Sequence, residues 1–422
     1  MKSAVPQCLL FAMLVSFGSA QAAEDGQWML PSGLPPLPSE GPALCQGAYL
    51  TPAQGKAMLD ATLEHCRTRA DWEARAALLR RGILKGAGLD PLPLRTPLNP
   101  IIRSRRVHDG YSVENAALEV VPGYYATGNL YRPVDAGGLH PAVISTHGHG
   151  PLGVPDQAPR FSEAMQIRCA ALARMGAIVL SLDMFGYGES AGQVDPKAHH
   201  STLAMTMQLW DNIRAVDFLV ALDGVDPRRI AISGESGGAT QDLLLVAVDS
   251  RIAVSVPVVM VSSFFYGGCE CESGRPIHRN AEYFTTNAEI AALAAPRPML
   301  VVSDGADWTR LVPVQEYPFL RRIYGLFGVE KNVENVHLPL EKHDYGPSKR
   351  AAMYRFMAAR LGLNLAAIVD SNGKIDEKSH YTPEPPSAMR VFTASAPVPA
   401  GSRKGAEAVA AELHRLQGQN RS

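Results

Sequence analysis

"RIAISGESGGAT", residues 229–240, decides how this chain is read. RIAISG is a short, mostly apolar run of strand character, and the residues after Ser236 follow a helical pattern. Ser236 therefore falls in the turn between a strand and a helix, with Gly234 two residues before it and Gly238 two after. Glycines there permit a tight turn and close backbone packing. A bare G-x-S-x-G arises by chance in many chains. Strand before and helix after make it a nucleophile elbow, with Ser236 as the candidate nucleophile. The competing reading is a serine that only caps a helix.

The same alternation extends on both sides. PAVISTH (141–147), AIVLSLD (177–183), IAVSVPVV (252–259), PRPMLVVSD (296–304, strand character from 297) and NVENVHLP (332–339) are short apolar runs separated by helical stretches. Helices are expected at 161–175, 201–222, after 236, near NAEIAALAA, at 314–327 and at 347–361. Apolar strands alternating with helices imply an α/β fold, a doubly wound, mostly parallel sheet covered on both faces. Functional residues of such sheets lie at the carboxyl ends of the strands. Ahead of this region, YSVENAALEVVPGYYATGNLYRP reads as antiparallel strands turning at Pro122-Gly123. Residues 51–89 read as helices, with Thr51 as a cap and Leu59, Leu63, Trp72, Leu78 and Leu79 as an apolar stripe. The division expected is 1–22 leader, 23–105 helical extension, 106–363 catalytic domain, and 364–422 a partly ordered tail.

Composition narrows the partners. The chain has 422 residues, a formal net charge of −1 and no broad basic field, so neither nucleic acid nor an anionic membrane is an expected partner. MKSAVPQCLLFAMLVSFGSAQAAEDG carries Lys2, an apolar run from Cys8 to Phe17 and Ala20-Gln21-Ala22 at a cleavage position. It reads as a secretory signal peptide, too short for a membrane anchor, and predicts a secreted or periplasmic protein. Past the leader five cysteines remain: Cys45, Cys66, Cys169, Cys269 and Cys271. An odd number in an oxidising compartment leaves one thiol over, and Cys45–Cys66 is the first pairing to consider. The C-x-C pair in GGCECESG, with His278 as its one local histidine, favours a disulfide or free thiols over a metal.

A serine hydroxyl needs a base, and the base an orienting acid. LVVSDGADWT offers Asp304 and Asp307. Asp307 lies further into the loop and is favoured as the acid, leaving Asp304 to hold the turn. LPLEKHDYGPSKR supplies His343 after the next strand, which fits the chain order Ser…Asp…His. An oxyanion needs backbone donors. Gly237 N–H, directly after Ser236, is one. The other is expected from Gly148 or His149 in STHGHGPLG, where glycines let the backbone turn inward. The two histidines of that loop have no carboxylate beside them to suggest a metal, and His199-His200 reads as a surface or cap-loop pair. No metal and no cofactor are expected.

HGHG, DMFGYGES (183–190), GESGG, DGADWT and KHDYG, in this order, resemble the α/β-hydrolase superfamily. APRPMLVVSDGADWT and EYPFLRRIYGLFGVEKNVENVHLP resemble its acetylxylan-esterase-like branch of secreted bacterial hydrolases, related to glucuronoyl esterase and dienelactone hydrolase groups. The resemblance spans about residues 106–363. It implies that nucleophile, acid and base fall on Ser236, Asp307 and His343, and the oxyanion loop near Gly148. Dienelactone hydrolases use cysteine, so Ser236 argues against that chemistry. DMFGYGES reads as scaffold. The expected function is serine-dependent cleavage of a carboxylic ester of a small molecule or polysaccharide. An oligopeptidase on the same fold is disfavoured, because no propeller repeats precede the domain. A catalytically dead binding protein is disfavoured because all three triad types are present. Loops 153–162, 190–200 and 262–285 are left to form the pocket walls. The last of these holds Phe264, Phe265 and Tyr266, which fit a pocket side or a packed loop equally well.

Overall fold

The structure, a computed structural model, describes residues 41, 43–134 and 137–420. The leader reading of residues 1–22 lies outside them. Nine strands form one sheet: β1 (Ile101–Val107), β2 (Tyr111–Val121), β3 (Tyr124–Pro133), β4 (His140–Ser145), β5 (Ile178–Leu182), β6 (Val225–Glu235), β7 (Ile252–Val258), β8 (Met299–Asp304) and β9 (Val333–Leu338), in the order β1-β2-β3-β5-β4-β6-β7-β8-β9. The six from β5 to β9 across the sheet pair in parallel, and β1, β2 and β3 add an antiparallel edge. This is the α/β-hydrolase arrangement. The β2–β3 hairpin turns at Gly123, whose φ of 81° suits glycine.

The period-two alternation of the strands sorts their side chains into two cores. Ala142, Ile144, Ile178, Leu180, Ile230, Ile232, Met299 and Val301 face one core, and Val143, Val179, Ala231, Leu300 and Val302 face the other. Helices α1 (Pro52–His65), α2 (Arg69–Gly86), α4 (Thr202–Ala221), α5 (Gly237–Val248), α7 (Asn287–Ala292) and α8 (Glu316–Gly325) cover the first face. Its apolar contributions include Leu59, Trp72, Trp210, Leu243, Ile290 and Leu320. Helices α3 (Glu163–Arg174) and α9 (Pro347–Leu361) cover the second through Cys169, Met353, Tyr354 and Met357. A strand buried on both faces needs apolar residues throughout, which is why these runs lack a polar side. Thr51 caps α1 by accepting from Gln54 N, and Leu59, Trp72 and Leu79 are buried while Leu63 and Leu78 pack from the edge.

Three features depart from the sequence reading. Strand β1 starts at Ile101, so the sheet reaches ahead of residue 106. The segment from 364 to 420, expected to be only partly ordered with a short helical pattern near its end, packs against the sheet domain along its length. It includes a short helical turn, α10 (Pro386–Met389), and a terminal helix, α11 (Ala406–Gln419). Asn115 Nδ2 on β2 donates to Ala388 O and Arg390 O at 2.9 and 2.7 Å, and Val409, Leu413 and Leu416 of α11 join the first core. Finally, the Cys45–Cys66 pairing is overturned: both are free thiols. Cys45 lies in an apolar cluster with Leu50, Met58 and Tyr266, whereas Cys66 lies in the sheet core, and burial pushes both thiols up to about 12. Among the described residues, no helix is long and apolar enough to cross a membrane.

Candidate active site

The chain leaves β4 for β5 on one side and returns to β6 on the other, so the topological switch point, where such sheets carry their sites, lies beyond the ends of β4 and β6. Ser236 follows β6 and immediately precedes α5. Its backbone takes φ 54°, ψ −122°, a region that costs an L-residue free energy and persists only where packing imposes it. The glycines show what imposes it. A Cβ on Gly234 would lie 2.0 Å from Thr146 Oγ1, and one on Gly238 would lie 2.8 Å from His147 O. The elbow is thus pressed against the loop after β4, and only glycine fits on either side of Ser236. Asp242 on α5 ties the two together. Its Oδ2 accepts from Gly234 N at 2.7 Å and its Oδ1 accepts from Thr146 Oγ1 at 2.9 Å, while burial pushes its carboxyl well above the usual range.

Arg168, buried on α3, braces the same junction. It donates to Ser145 Oγ at 3.0 Å and Thr146 O at 2.7 Å, pairs with Glu235 at 2.8 Å, and lies over the Tyr345 ring at 4.3 Å. Gly148 packs directly on the elbow: its Cβ would stand 3.5 Å from that of Ser236. The N–H groups of Gly148, His149 and Gly237 make no hydrogen bond among the described residues, so they remain available as donors beside Ser236.

Asp307 and His343 meet. Asp307 Oδ2 lies 2.6 Å from His343 Nδ1, and because a carboxylate only accepts, Nδ1 carries the proton and Nε2 is left with a free lone pair. Asp307 Oδ1 accepts from Thr309 N and Thr309 Oγ1, both at 2.6 Å, which fixes the carboxylate plane. Asp304 sits elsewhere. It is fully buried at the end of β8, accepts from Ala306 N at 3.1 Å and pairs with buried Lys349 at 3.2 Å. Among the described residues no hydrogen bond joins Ser236 to His343, although both follow parallel strands, β6 and β9, at the same edge of the sheet. The Trp308 ring lies 4.6 Å from that of His343 and stacks on Phe265 at 3.8 Å. Phe265 therefore faces the site, while Phe264 and Tyr266 pack beneath it.

The loop after β4 brings a second constellation. His149, His199, Cys269 and Cys271 place their donor atoms within 4.8 Å of one another. His199, expected with His200 in a surface or cap-loop pair, lies in the turn Pro196–His200 and is fully buried rather than on the surface. His278 is not part of the group; its Nε2–H donates to Asn287 Oδ1 at 2.8 Å. Tyr187 of DMFGYGES walls the group, with its ring 4.6 Å from that of His199 and its hydroxyl donating to Gly150 O at 3.1 Å. The rest of that motif is scaffold: Asp183 pairs with buried Arg160 at 2.8 Å.

Arg168, Asp242, Trp308 and Tyr187 escaped the reading of the sequence. The one signal available was a charged residue on a helical face otherwise expected to be buried, as at positions 168 and 242.

No family model matches the chain. It is 25% identical over 252 residues, 54% of its length and 80% of the relative's, to "Putative hydrolase YtaP" of Bacillus subtilis (strain 168). Among solved structures, a glucuronoyl esterase from Solibacter usitatus superposes at a TM-score of 0.52 with 15% identity, covering 69% of this chain and 94% of that one, and shares the fold. Methylesterase BT1017 superposes at a TM-score of 0.79 with 40% identity, covering 88% of this chain and 81% of that one. With that identity over that length, the chain belongs to the α/β-hydrolase family of esterases that includes methylesterase BT1017.

Proposed function

We propose that the protein is a serine-dependent carboxylic ester hydrolase of the cell exterior or periplasm, acting on a methyl or similarly small ester carried by a carbohydrate. The observation that carries the mechanism is the strained Ser236, set between unused backbone N–H groups and on the same edge of the sheet as the His343–Asp307 pair at 2.6 Å. Ser236 Oγ attacks the ester carbonyl carbon while His343 Nε2 takes its proton. The carbonyl oxygen becomes an oxyanion that accepts from Gly237 N–H and from Gly148 or His149 N–H. His343 then gives its proton to the departing alkoxide, releasing the alcohol and leaving an acyl-enzyme. Water, deprotonated by His343, attacks this ester; its collapse returns the proton to Ser236 and frees the carboxylic acid. Asp307 holds the tautomer throughout and stabilises the imidazolium.

The small-ester reading rests on the 40% identical methylesterase and on the flat Trp308–Phe265 stack beside His343, a surface suited to a sugar face. The test is release of methanol from methyl-esterified and acetate from acetylated polysaccharides, by the wild type and by Ser236→Ala. Methanol or acetate release that vanishes in the variant is expected. Equal release by both proteins would remove Ser236 from the mechanism, and release of neither from any ester would remove the substrate class.

A further inference from the structure

His149, His199, Cys269 and Cys271 come from three separate segments: the loop after β4, the turn Pro196–His200, and the start of the short helix α6 (Glu270–Ser273). Two imidazoles and two thiols whose donor atoms lie within 4.8 Å of one another form an N2S2 set. In a tetrahedral zinc site, with Zn–S of about 2.3 Å and Zn–N of about 2.0–2.1 Å, the donors stand roughly 3–4 Å apart. The cluster is at that scale, and His149 Nε2 lies 3.0 Å from Cys271 Sγ.

The histidine tautomers point the same way. His199 Nδ1–H donates to Phe185 O at 2.9 Å, which leaves Nε2 with a lone pair. That Nε2 is buried and has no hydrogen-bond partner. A carbonyl behind the ring and an unpartnered nitrogen in front is the usual support of a metal-binding histidine. His149 presents Nε2 to the sulfurs, while its Nδ1 edge faces Gly237. The thiols are buried and His149 is the exposed member, so an ion can arrive from its side. Two thiolates neutralise one divalent cation, which suits a site largely removed from water. A second group, His200, Cys269 and Glu270, shares one sulfur, but its imidazole and carboxylate are open to solvent.

We propose that these four residues bind a zinc ion that fastens the candidate oxyanion loop to α6 and to the Pro196–His200 turn. Binding exchanges the two thiol protons for the metal and releases them to solvent. All four positions are protein ligands, so the ion serves structure rather than water activation. Its protein-side consequence is positional: it fixes the loop whose Gly148 and His149 N–H groups flank Ser236.

The test measures metal without substrate, so its failure is separate from any failure of the esterase reading. Full-length protein purified from zinc-supplemented culture is analysed for metal content and by intact mass. About one zinc per chain is expected, falling at least tenfold in His199→Gln and Cys269→Ser. Cobalt(II) added to the reduced, metal-stripped wild type is expected to give intense visible bands of a tetrahedral site with thiolate charge transfer, which needs no variant to fold. Zinc-free wild type that gives no such bands, wild type lighter by two hydrogens with Cys269 and Cys271 in one disulfide, or folded variants that keep their zinc would each overturn the proposal.

Discussion

Replacing Asp307 with Asn separates the two acids that compete for the triad. In the wild type Asp307 Oδ2 faces His343 Nδ1 at 2.6 Å, and Oδ1 accepts from both Thr309 N and Thr309 Oγ1 at 2.6 Å. Those two donors force the amide of an asparagine to keep its oxygen toward Thr309, so its NH2 faces His343. The imidazole must then accept at Nδ1 and carry its proton on Nε2, where it can no longer take one from Ser236. In the serine-protease precedent this wrong tautomer costs about 10⁴-fold in kcat with the geometry intact, or about 5 kcal/mol of barrier. The same loss is expected here, with KM and unfolding midpoint little changed. Asp304→Asn is the control. It removes one of the carboxylates around buried Lys349, which retains Asp344 at 3.0 Å and Glu341 at 3.6 Å. That variant should lose about 1–3 kcal/mol of stability and keep most of its kcat. Steady-state kinetics and denaturant titration of both proteins read the result. A kcat that survives Asp307→Asn but collapses in a folded Asp304→Asn would refute the assignment.

Gly238→Ala sets a methyl 2.8 Å from His147 O and 2.9 Å from His147 C, and neither backbone atom can yield cheaply. It should cost about 1–3 kcal/mol and, by parting the elbow from the oxyanion loop, about 10²–10³-fold in kcat; wild-type values in both assays would contradict this packing. Trp308→Ala removes the slab beside His343, so KM for carbohydrate esters should rise about tenfold while kcat for a p-nitrophenyl ester changes little. His278 is fully buried, and burial lowers its pKa from the ordinary 6.5 to about 4. The unfolded chain therefore binds more protons between those values, and stability falls as pH drops from about 6.5 to about 4, by about 3 kcal/mol from this residue. His278→Gln should flatten that part of the stability–pH curve, and an unchanged slope would assign the loss to other groups.

The fold was legible because its strands are buried on both faces: runs such as AIVLSLD and RIAISG have no polar side to confuse with loop or surface helix. The antiparallel edge was harder to delimit. Strand β1 is half exposed and holds IIRSRRV, so its charges masked its pairing with β2. The candidate triad could be read from chain order, since each member follows its own strand. Its bracing could not. Arg168 and Asp242 act across elements, and no local pattern says that a helical arginine reaches the end of β4. The Cys–His group was half visible. The C-x-C pair stands out in the sequence, but its histidine partners lie about 70 and 120 residues away and meet it only once the three loops converge.

The most direct test of the central claim is covalent. A fluorophosphonate reacts with a serine only where a base and an oxyanion hole activate it. The account predicts one adduct per chain, mapped to Ser236 by peptide mass, with ester hydrolysis lost in step with labelling and no adduct on Ser236→Ala. A folded wild type that hydrolyses esters yet stays unlabelled at Ser236, or is labelled at another serine, would contradict it.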